Sequence, residues 1–305
     1  MIVILGPTAT GKTKLAAEIA YRLNAEIISA DSRQVYKNMT IGSGKDYNDY
    51  IVNGFKIPYH LVDIVEPGYE YNIFEYKKDF LVAYNEILSR NKKVILCGGS
   101  GMYLESVISK YRLDEVPINN DLRKNLCSKS NDELVEMLSQ MKTLHNITDS
   151  EDRDRIIRAI EIETYMKLHP EVEDNYVVPS SIYGIRGDRE FIRQRITDRL
   201  YYRLENQDMV GEVERLLDSG VDSEKLKNYG LEYKFLTKYI LGEIPYEMMV
   251  KKLNIAIHQF SKRQMTWFRR MERKGFKINW IDVELPLEDK VEFIFNDLKS
   301  KNLFE

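Results

Sequence analysis

The chain has 305 residues and a formal net charge of −3, and 43% of its residues are hydrophobic. Its length allows one large domain or two modest ones, and its charge gives no global signal for nucleic-acid binding, so that any such signal must be local. The two cysteines, Cys97 and Cys127, are far apart and fit neither a disulfide framework nor a zinc site, which suits a reducing cytosol.

A short apolar strand, a glycine loop and a helix open the chain. Ile2 to Leu5 is typical of a buried strand, and the apolar residues from Leu15 onward have helical spacing. Gly6 to Thr13 between them has the pattern G-x-x-x-x-G-K-T of a phosphate-binding P-loop. Backbone N–H groups and the positive end of the helix favour an anion there. Such a loop is typical of ATP-binding proteins. The residues predicted to bind a diphosphate or a nucleotide are Gly6, Pro7, Thr8, Ala9, Thr10, Gly11, Lys12 and Thr13.

Within this loop, the Lys12 ammonium is expected to reach the outer phosphate and the Thr13 hydroxyl to hold Mg²⁺. Because the first strand begins at residue 2, the sequence leaves no room for a signal peptide. No apolar run has the length of a membrane span. We therefore expect a cytoplasmic protein that has no membrane partner.

A second predicted strand, Glu26 to Ala30, is followed by an acidic residue, Asp31. Ligands of open parallel sheets lie at the carboxyl ends of the strands, so Asp31 is expected beside the ligand of the P-loop. A carboxylate in that place can accept a proton or hold a metal ion. The alternative is a turn cap made by the Asp-Ser pair. Gln34 follows on the same loop and is a candidate to read the edge of a nucleic-acid base.

Two further loops complete the predicted ligand-binding edge. Residues 41–46 form a loop with Lys45 at its tip, and the strand Val94 to Cys97 runs into Gly98-Gly99-Ser100-Gly101. A kinase or ATPase usually has a carboxylate at the end of such a strand, and its absence argues against phosphoryl transfer. The glycines predict either that a ligand approaches closely, with Ser100 as a hydroxyl donor, or that packing alone requires them.

The pattern changes after Pro117. Three helices are predicted there, over about Ile118 to Cys127, Asp132 to Met141 and Asp152 to Met166, before a strand at Ser180 to Arg186. We therefore predict an α/β fold, a P-loop NTPase-like parallel-sheet core of residues 1–117 and 181–305 with a helical insertion domain of residues 118–180.

Basic residues are concentrated in three stretches. Their spacing of three or four residues places them on shared helix faces, where they can bind a phosphate backbone and adjacent aromatics can stack on unpaired bases. Each stretch can equally be a solvated helix face paired with glutamates. The stretches contain Arg153, Arg155 and Arg158; Arg186, Arg189, Arg193, Arg195, Arg199 and Arg203; and Lys262 to Arg270.

Taken in order, these motifs resemble those of the tRNA dimethylallyltransferase (tRNA isopentenyltransferase) family over nearly the whole chain. Asp46 stands where that family usually has proline, and Gly230-Leu231-Glu232-Tyr233 replaces its GYKE, departures that bear on nearby RNA contacts rather than on the reaction. The matching motifs are GPTATGKT at residues 6–13, DSRQVY at 31–36, IGSGK at 41–45, YHLVD at 59–63, GGSGMY at 98–103, RIIRAIE at 155–161 and KRQMTWFR at 262–269.

The resemblance implies transfer of a dimethylallyl group from dimethylallyl diphosphate to the exocyclic N6 amine of the adenine 3′ to the anticodon of tRNA. It implies that Lys12, Thr13 and Lys45 neutralise the departing diphosphate with Mg²⁺, that Asp31 takes the amine proton, and that Ser100 assists. It implies contacts with the tRNA anticodon stem-loop at Asp31, Ser32, Arg33, Gln34, Ser100, Arg123, Asp154, Arg155, Arg158, residues 227–232, Lys262, Arg263, Gln264, Trp267 and Arg269. We expect a monomer.

Three alternatives remain open at this point. An adenylate isopentenyltransferase performs the same chemistry on free AMP or ADP, but it needs neither the helical insertion nor KRQMTWFR. A small-molecule P-loop kinase lacks several of its usual catalytic parts here. A nucleotide-regulated RNA-binding module without catalysis predicts RNA affinity that changes with nucleotide. The sequence also leaves open whether Lys45 or one of the arginines between residues 186 and 203 is the main diphosphate ligand.

Overall fold

The computed structural model describes residues 1–110, 115–141, 153–169 and 177–301. The chain divides into two compact units, one formed by Met1–Tyr111 with Val177–Glu305 and the other by Arg112–Tyr176. The second unit overlaps the predicted insertion, residues 118–180, but begins and ends a few residues earlier. No helix in the described ranges is both long and apolar enough to cross a membrane.

The larger unit is built on a six-stranded sheet whose strand order is β5-β2-β6-β1-β7-β8, with every pair parallel. A two-stranded antiparallel hairpin, β3–β4, lies apart from it. The α/β fold with a mostly parallel sheet is therefore confirmed. The strands are β1 (Ile2–Leu5), β2 (Ala25–Ala30), β3 (Ile51–Val52), β4 (Phe55–Lys56), β5 (Tyr59–His60), β6 (Lys93–Gly98), β7 (Ser181–Arg186) and β8 (Ile278–Asp282).

Helices cover both faces of this sheet, and a short 3₁₀ helix spans Tyr47–Tyr50. The α-helices of the larger unit are α1 (Lys12–Leu23), α2 (Ile73–Ser89), α3 (Gly101–Ile108), α7 (Arg189–Asn206), α8 (Met209–Asp218), α9 (Ser223–Asn228), α10 (Leu231–Ile240), α11 (Tyr246–Arg273) and α12 (Leu287–Ser300). The smaller unit contributes α4 (Asn120–Cys127), α5 (Asn131–Met141) and α6 (Arg153–Leu168).

Alternation along the strands separates two cores. Ile2 and Ile4 of β1 face one core, with α1, α7 and α8, whereas Val3 and Leu5 face the other, with α2 and α3. A strand covered on both faces reads as a continuous apolar run because successive side chains point to opposite sides. The apolar run at the start of the chain therefore becomes a central strand of the sheet.

The register places three strand ends side by side. Leu5 of β1 is level with Gly98 of β6, and Gly98 is level with Ala30 of β2. The residues that follow, Gly6 and Asp31 among them, therefore emerge together at the carboxyl edge of the sheet. This is the edge at which parallel α/β sheets bind ligands.

The smaller unit has its own apolar core. Helices α4, α5 and α6 bury leucine and isoleucine side chains against one another, at helical spacing along each helix. The three helices predicted for this segment are confirmed, and the helix ends that the structure describes lie within one or two residues of the predicted ends. The buried members of this core are Leu126, Leu134, Leu138, Ile156, Ile157 and Ile160.

Candidate active site

The glycine loop after β1 has the backbone conformation of an anion site. Gly6 has φ +157°, and a Cβ atom there would lie 2.8 Å from the carbonyl oxygen of Ile185. Gly11 is left-handed at φ +78° and immediately precedes α1, whose first turn receives no side-chain cap. The free N–H groups and the dipole of α1 therefore point toward any bound phosphate.

Lys12 folds back over this loop. Its Nζ donates to the carbonyl oxygen of Pro7 at 2.7 Å, and Thr10 Oγ1 donates to the same oxygen at 2.8 Å. Burial lowers the pKa of Lys12 from 10.5 to about 8. A neighbouring anion stabilises the charged form of such a lysine, so the site is electrostatically prepared for a phosphate.

Helix α7 lays a row of arginines beside the glycine loop. Arg195 Nε donates to the carbonyl oxygen of Ala9 at 2.9 Å, and Arg199 Nη2 donates to Thr8 Oγ1 at 2.5 Å. Burial, and then the charge of Arg203, lowers the pKa of Arg199 to about 10. Spacing by four residues puts these side chains on one face of the helix.

These contacts bear on the 186–203 stretch, for which an RNA-backbone surface, a solvated helix face and a diphosphate ligand were all open interpretations. Three of its six arginines are directed at loops of the site: Arg195 and Arg199 bind the glycine loop, and Arg203 binds Asp46 with two contacts of 3.0 Å. The other three, Arg186, Arg189 and Arg193, are exposed.

Lys45, predicted at the tip of the loop of residues 41–46, is not exposed to solvent. Its side chain is 1% exposed, and its Nζ lies 2.6 Å from Asp63 Oδ1 and also donates to the carbonyl oxygen of Tyr36. The Lys45 ammonium group is therefore satisfied inside the protein. Its assignment as a diphosphate ligand therefore gains no support from this geometry, whereas Arg199 is placed for that role.

Asp31 begins the turn that follows β2. Its Oδ1 accepts a hydrogen bond from the N–H of Arg33 at 3.0 Å, so the predicted turn cap is present. The N–H of Ser32 donates to Ser100 Oγ at 3.1 Å, which ties this turn to the second glycine loop. The negative charge of Asp31 also acts on Lys12 and Arg199. Asp31 is therefore a turn residue whose charge also reaches the cations beside the glycine loop.

Gln34 is engaged inside the protein at both ends of its amide. Its Oε1 accepts from Ser29 Oγ at 3.1 Å, and its Nε2 donates to the carbonyl oxygen of Gly44 at 3.2 Å. A glutamine with both ends satisfied positions its surroundings more readily than it reads a base. That Gln34 reads the edge of a base stays a prediction, and these contacts do not favour it.

The glycines after β6 accommodate the protein itself, so packing was the better of the two interpretations. A Cβ at Gly98 would lie 2.1 Å from the carbonyl oxygen of Ala30. A Cβ at Gly99 would lie 2.4 Å from Gln264 Nε2, and one at Gly101 would lie 2.2 Å from Trp267 Cδ1. A larger residue would require the Ala30 backbone, or the side chain of Gln264 or Trp267, to shift, which explains the run of glycines.

Gln264 connects the two glycine loops. Its Oε1 accepts from the N–H of Thr8 at 2.9 Å, and its Nε2 donates to the carbonyl oxygen of Gly99 at 2.9 Å. The side chain is buried. Both ends of the amide are used to hold the glycine loop in place, so these contacts do not favour the predicted contact of Gln264 with RNA, which stays a prediction.

The neighbours of Gln264 on α11 differ in exposure. Lys262, Arg263 and Arg269 are exposed. Trp267 is half-buried, and the guanidinium of Arg270 lies 4.1 Å from the centre of its ring. Three basic side chains of the motif are thus presented to solvent from a helix that also supports the phosphate loop.

In the smaller unit, two predicted RNA ligands share one carboxylate. Arg123 and Arg158 both donate to Glu161, whose side chain is 1% exposed. Burial raises the pKa of Glu161, but the hydrogen bonds from the two arginines outweigh it and bring this pKa down to about 2. Each arginine keeps 37% of its side chain exposed. Asp154 and Arg155 lie on the exposed side of α6.

The segment of residues 227–232 departs from the family pattern and has its own contacts. Lys227 Nζ lies 2.8 Å from Glu224 and 2.5 Å from Glu243. Burial raises the pKa of Glu232, while the charges of Arg199 and Arg203 lower it. Both residues that replace the family consensus with an acid, Asp46 and Glu232, therefore interact with the α7 arginines.

The donor set near the glycine loop fits Mg²⁺ held mainly through a diphosphate. Among the described residues, no group of three or more His, Cys, Asp or Glu side chains is placed to hold a metal ion. Mg²⁺ commonly takes only one or two protein ligands beside substrate phosphates and water. The Thr13 hydroxyl at the start of α1 and the nearby Asp31 carboxylate are compatible with that number.

Sequence reasoning missed three residues around this site. Asp63 binds Lys45, Glu212 binds the loop that carries Lys45, and Tyr233 donates to Glu212. Glu212 lies on the buried face of α8, and an acid among apolar residues at helical spacing was the only signal that could have found it.

Comparison with known proteins identifies relatives along the whole chain. The family model for IPP transferase matches residues 34–271. A tRNA dimethylallyltransferase 2 from Phocaeicola vulgatus is 56% identical over 303 residues, which cover 99% of this chain and 98% of the relative. Another tRNA dimethylallyltransferase 2, from Bacteroides fragilis, is 54% identical over 98% of each chain.

A solved structure has the same fold over its length. The tRNA isopentenylpyrophosphate transferase from Bacillus halodurans superimposes with a TM-score of 0.70 at 28% identity, covering 98% of this chain and 95% of that one.

Proposed function

Because the chain belongs to the IPP transferase family of tRNA dimethylallyltransferases, we propose that its glycine loop binds dimethylallyl diphosphate and that Asp31 accepts the proton of the adenine amine. The chain is a prenyltransferase that acts on tRNA. The observation that carries the proposed site is the register of β1, β2 and β6, which brings the glycine loop and Asp31 to one edge of the sheet.

The phosphate side of the site stabilises the leaving group. Lys12, Arg199 and the N-terminus of α1 surround the place where negative charge grows as the carbon–oxygen bond to diphosphate breaks. Donors that are already oriented stabilise such charge without reorganising during the reaction. Mg²⁺ held by Thr13 and the diphosphate would supply further neutralisation of that charge.

The adenine side of the site removes the proton. As N6 forms a bond to the allylic carbon, it gains positive charge, and its proton passes to the Asp31 carboxylate. Oδ1 of Asp31 already accepts from Arg33, which holds the carboxylate in one orientation. Ser100 keeps the turn in place through the N–H of Ser32. The adenine must leave the anticodon-loop stack to reach this group, which costs about a few kcal/mol.

The exposed basic residues of α11 are proposed to hold the RNA backbone. Lys262, Arg263 and Arg269 are the exposed cations of the KRQMTWFR motif. In the smaller unit, Arg123 and Arg158 are each 37% exposed and can contribute donors to a phosphate. We further propose that the enzyme acts as a monomer in the cytoplasm.

Incubation of the protein with labelled dimethylallyl diphosphate, Mg²⁺ and undermodified tRNA tests this function, with AMP as the competing acceptor. Label in tRNA is expected, and Asp31→Asn is expected to reduce kcat by about 10²- to 10⁴-fold with little change in tRNA affinity. The asparagine keeps an acceptor for Arg33. Label in AMP alone would favour the adenylate alternative, and undiminished turnover by Asp31→Asn would remove the proposed base.

A further inference from the structure

Glu212 of α8 carries a buried carboxylate that accepts four hydrogen bonds. Its Oε2 accepts from the N–H groups of Thr40 at 2.9 Å and Ile41 at 2.7 Å, and its Oε1 accepts from the N–H of Gly42 at 3.0 Å. The Tyr233 hydroxyl donates to Oε1 at 2.8 Å. A buried charge is costly unless its hydrogen bonds are satisfied, so these contacts hold the backbone of the loop firmly.

We name residues 40–46 the anchored loop. Glu212 holds its first three residues, and Lys45 holds its far end by binding Asp63 at 2.6 Å. Between these anchors, the carbonyl oxygen of Gly44 accepts from Gln34 Nε2 at 3.2 Å. The loop is thus fixed on both sides of the point at which it meets Gln34.

Gln34 and Asp31 belong to one turn. The N–H of Gln34 donates to the carbonyl oxygen of Asp31 at 3.2 Å, while Gln34 Oε1 accepts from Ser29 on β2. A displacement of Gly44 therefore removes one of the two contacts that hold the Gln34 amide. Small displacements of a general base reduce the rate because proton transfer requires hydrogen-bond distance in the reacting complex.

We propose that Glu212 is a positioning residue for the Asp31 turn, acting through the anchored loop and Gln34. The proposal rests on the proposed function, since it assigns Glu212 to the same site. The four hydrogen bonds of Glu212 go to the anchored loop and Tyr233 rather than to the glycine loop. It is therefore expected to act on the adenine side of the site and not on the diphosphate side.

The proposal also accounts for Tyr233, where the family motif usually has glutamate. A Cβ at Gly42 would lie 2.6 Å from Tyr233 Cζ, so the ring closes directly over the backbone of the anchored loop. The tyrosine hydroxyl then supplies the fourth donor to Glu212. Tyr233 is therefore part of the same anchor and offers a milder way to test it.

A double-mutant cycle of Glu212→Gln and Gln34→Ala, measured by steady-state kinetics of tRNA prenylation, tests whether Glu212 acts through Gln34. We expect Glu212→Gln to slow turnover by about 10- to 100-fold, because the amide nitrogen presents a donor where the backbone N–H groups need an acceptor. The KM for dimethylallyl diphosphate should change by less than about 3-fold. The double variant should be no slower than the slower single variant, since both changes interrupt one route.

Two further variants control this experiment. Glu214→Gln, at an exposed position of the same helix, should leave turnover unchanged. Tyr233→Phe keeps the ring against Gly42 and should slow turnover by less than Glu212→Gln does, which keeps the test valid even if Glu212→Gln does not fold. Circular dichroism verifies that each variant is folded.

If the rate losses of the two single variants multiply in the double variant, or if only KM changes, Glu212 does not have the proposed role. The proposed function still stands in that case, provided that the wild-type protein prenylates tRNA. Full activity of Tyr233→Phe, or of a folded Glu212→Gln, would likewise overturn the role of Glu212. A wild-type protein that prenylates no tRNA would instead overturn the proposed function itself.

Discussion

Arg199 Nη2 donates a hydrogen bond to Thr8 Oγ1 over 2.5 Å and so joins helix α7 to the phosphate loop. Arg195 makes a second junction one turn earlier, to the carbonyl oxygen of Ala9. The guanidinium of Arg199 is therefore held beside the loop before any phosphate binds. A preorganised cation of this kind binds an anion without the entropic cost of ordering a long side chain.

Arg199→Met should raise the KM for dimethylallyl diphosphate by about 10- to 100-fold, because a charge-assisted bond to phosphate contributes about 1.5–3 kcal/mol. The tRNA dissociation constant should stay nearly constant. Steady-state kinetics and filter binding measure the two quantities. Arg193→Met is the matched control, since Arg193 lies on the exposed side of the same helix, paired with Glu190 at 3.3 Å. An equal loss in both variants would contradict the assignment of Arg199.

The pH dependence of diphosphate capture should report Lys12. Burial lowers its pKa to about 8, so its positive charge is present below that pH and is lost above it. We therefore expect kcat/KM for dimethylallyl diphosphate to fall as the pH rises through about 8, because this ratio reports the free enzyme. Lys12→Ala should have low activity throughout and lack this fall. The same fall in Lys12→Ala would assign the titration to another group.

Glu161 should make the stability of the protein decrease at low pH. Its pKa is lowered from 4.5 to about 2, so its stabilising contribution is fully present above about pH 4.5 and is lost as the pH falls toward 2. Glu161→Gln should lower the melting temperature at neutral pH, and the difference from wild type should shrink below about pH 4.5. Thermal melts followed by circular dichroism measure this difference. A difference that stays constant with pH would contradict the ion pairs with Arg123 and Arg158.

Removal of exposed cations from α11 should weaken tRNA binding in a salt-dependent way. Arg263→Ala and Arg269→Ala should each reduce the slope of log K against log salt concentration by about 0.7–0.9, which is the change expected when the protein neutralises one phosphate fewer. Arg215→Ala is the control, because Arg215 is 64% exposed and lies on α8, in a different helix. Binding isotherms at several salt concentrations give the slopes, and unchanged slopes would leave these residues as a solvated helix face.

Much of the site was predictable from local sequence. The glycine loop, the strand before it and the helix after it follow from Gly6 to Thr13 and the apolar run at Ile2 to Leu5. The position of Asp31 beside the loop follows from the general rule that ligands bind at the carboxyl ends of parallel strands. These features depend on residues adjacent in the chain, where the period of apolar side chains and the conformational freedom of glycine leave few alternatives.

The tertiary structure alone decided which side chains lie against the glycine loop. Lys45 and Arg199 were equivalent candidates because both are cations near a motif, but Lys45 is buried against Asp63 whereas Arg199 reaches Thr8. Gln264 was grouped with exposed basic neighbours, yet it bridges Thr8 and Gly99. Each of these contacts joins residues from different elements of the fold, and the spacing of residues along one helix says nothing about which loop another element brings against it.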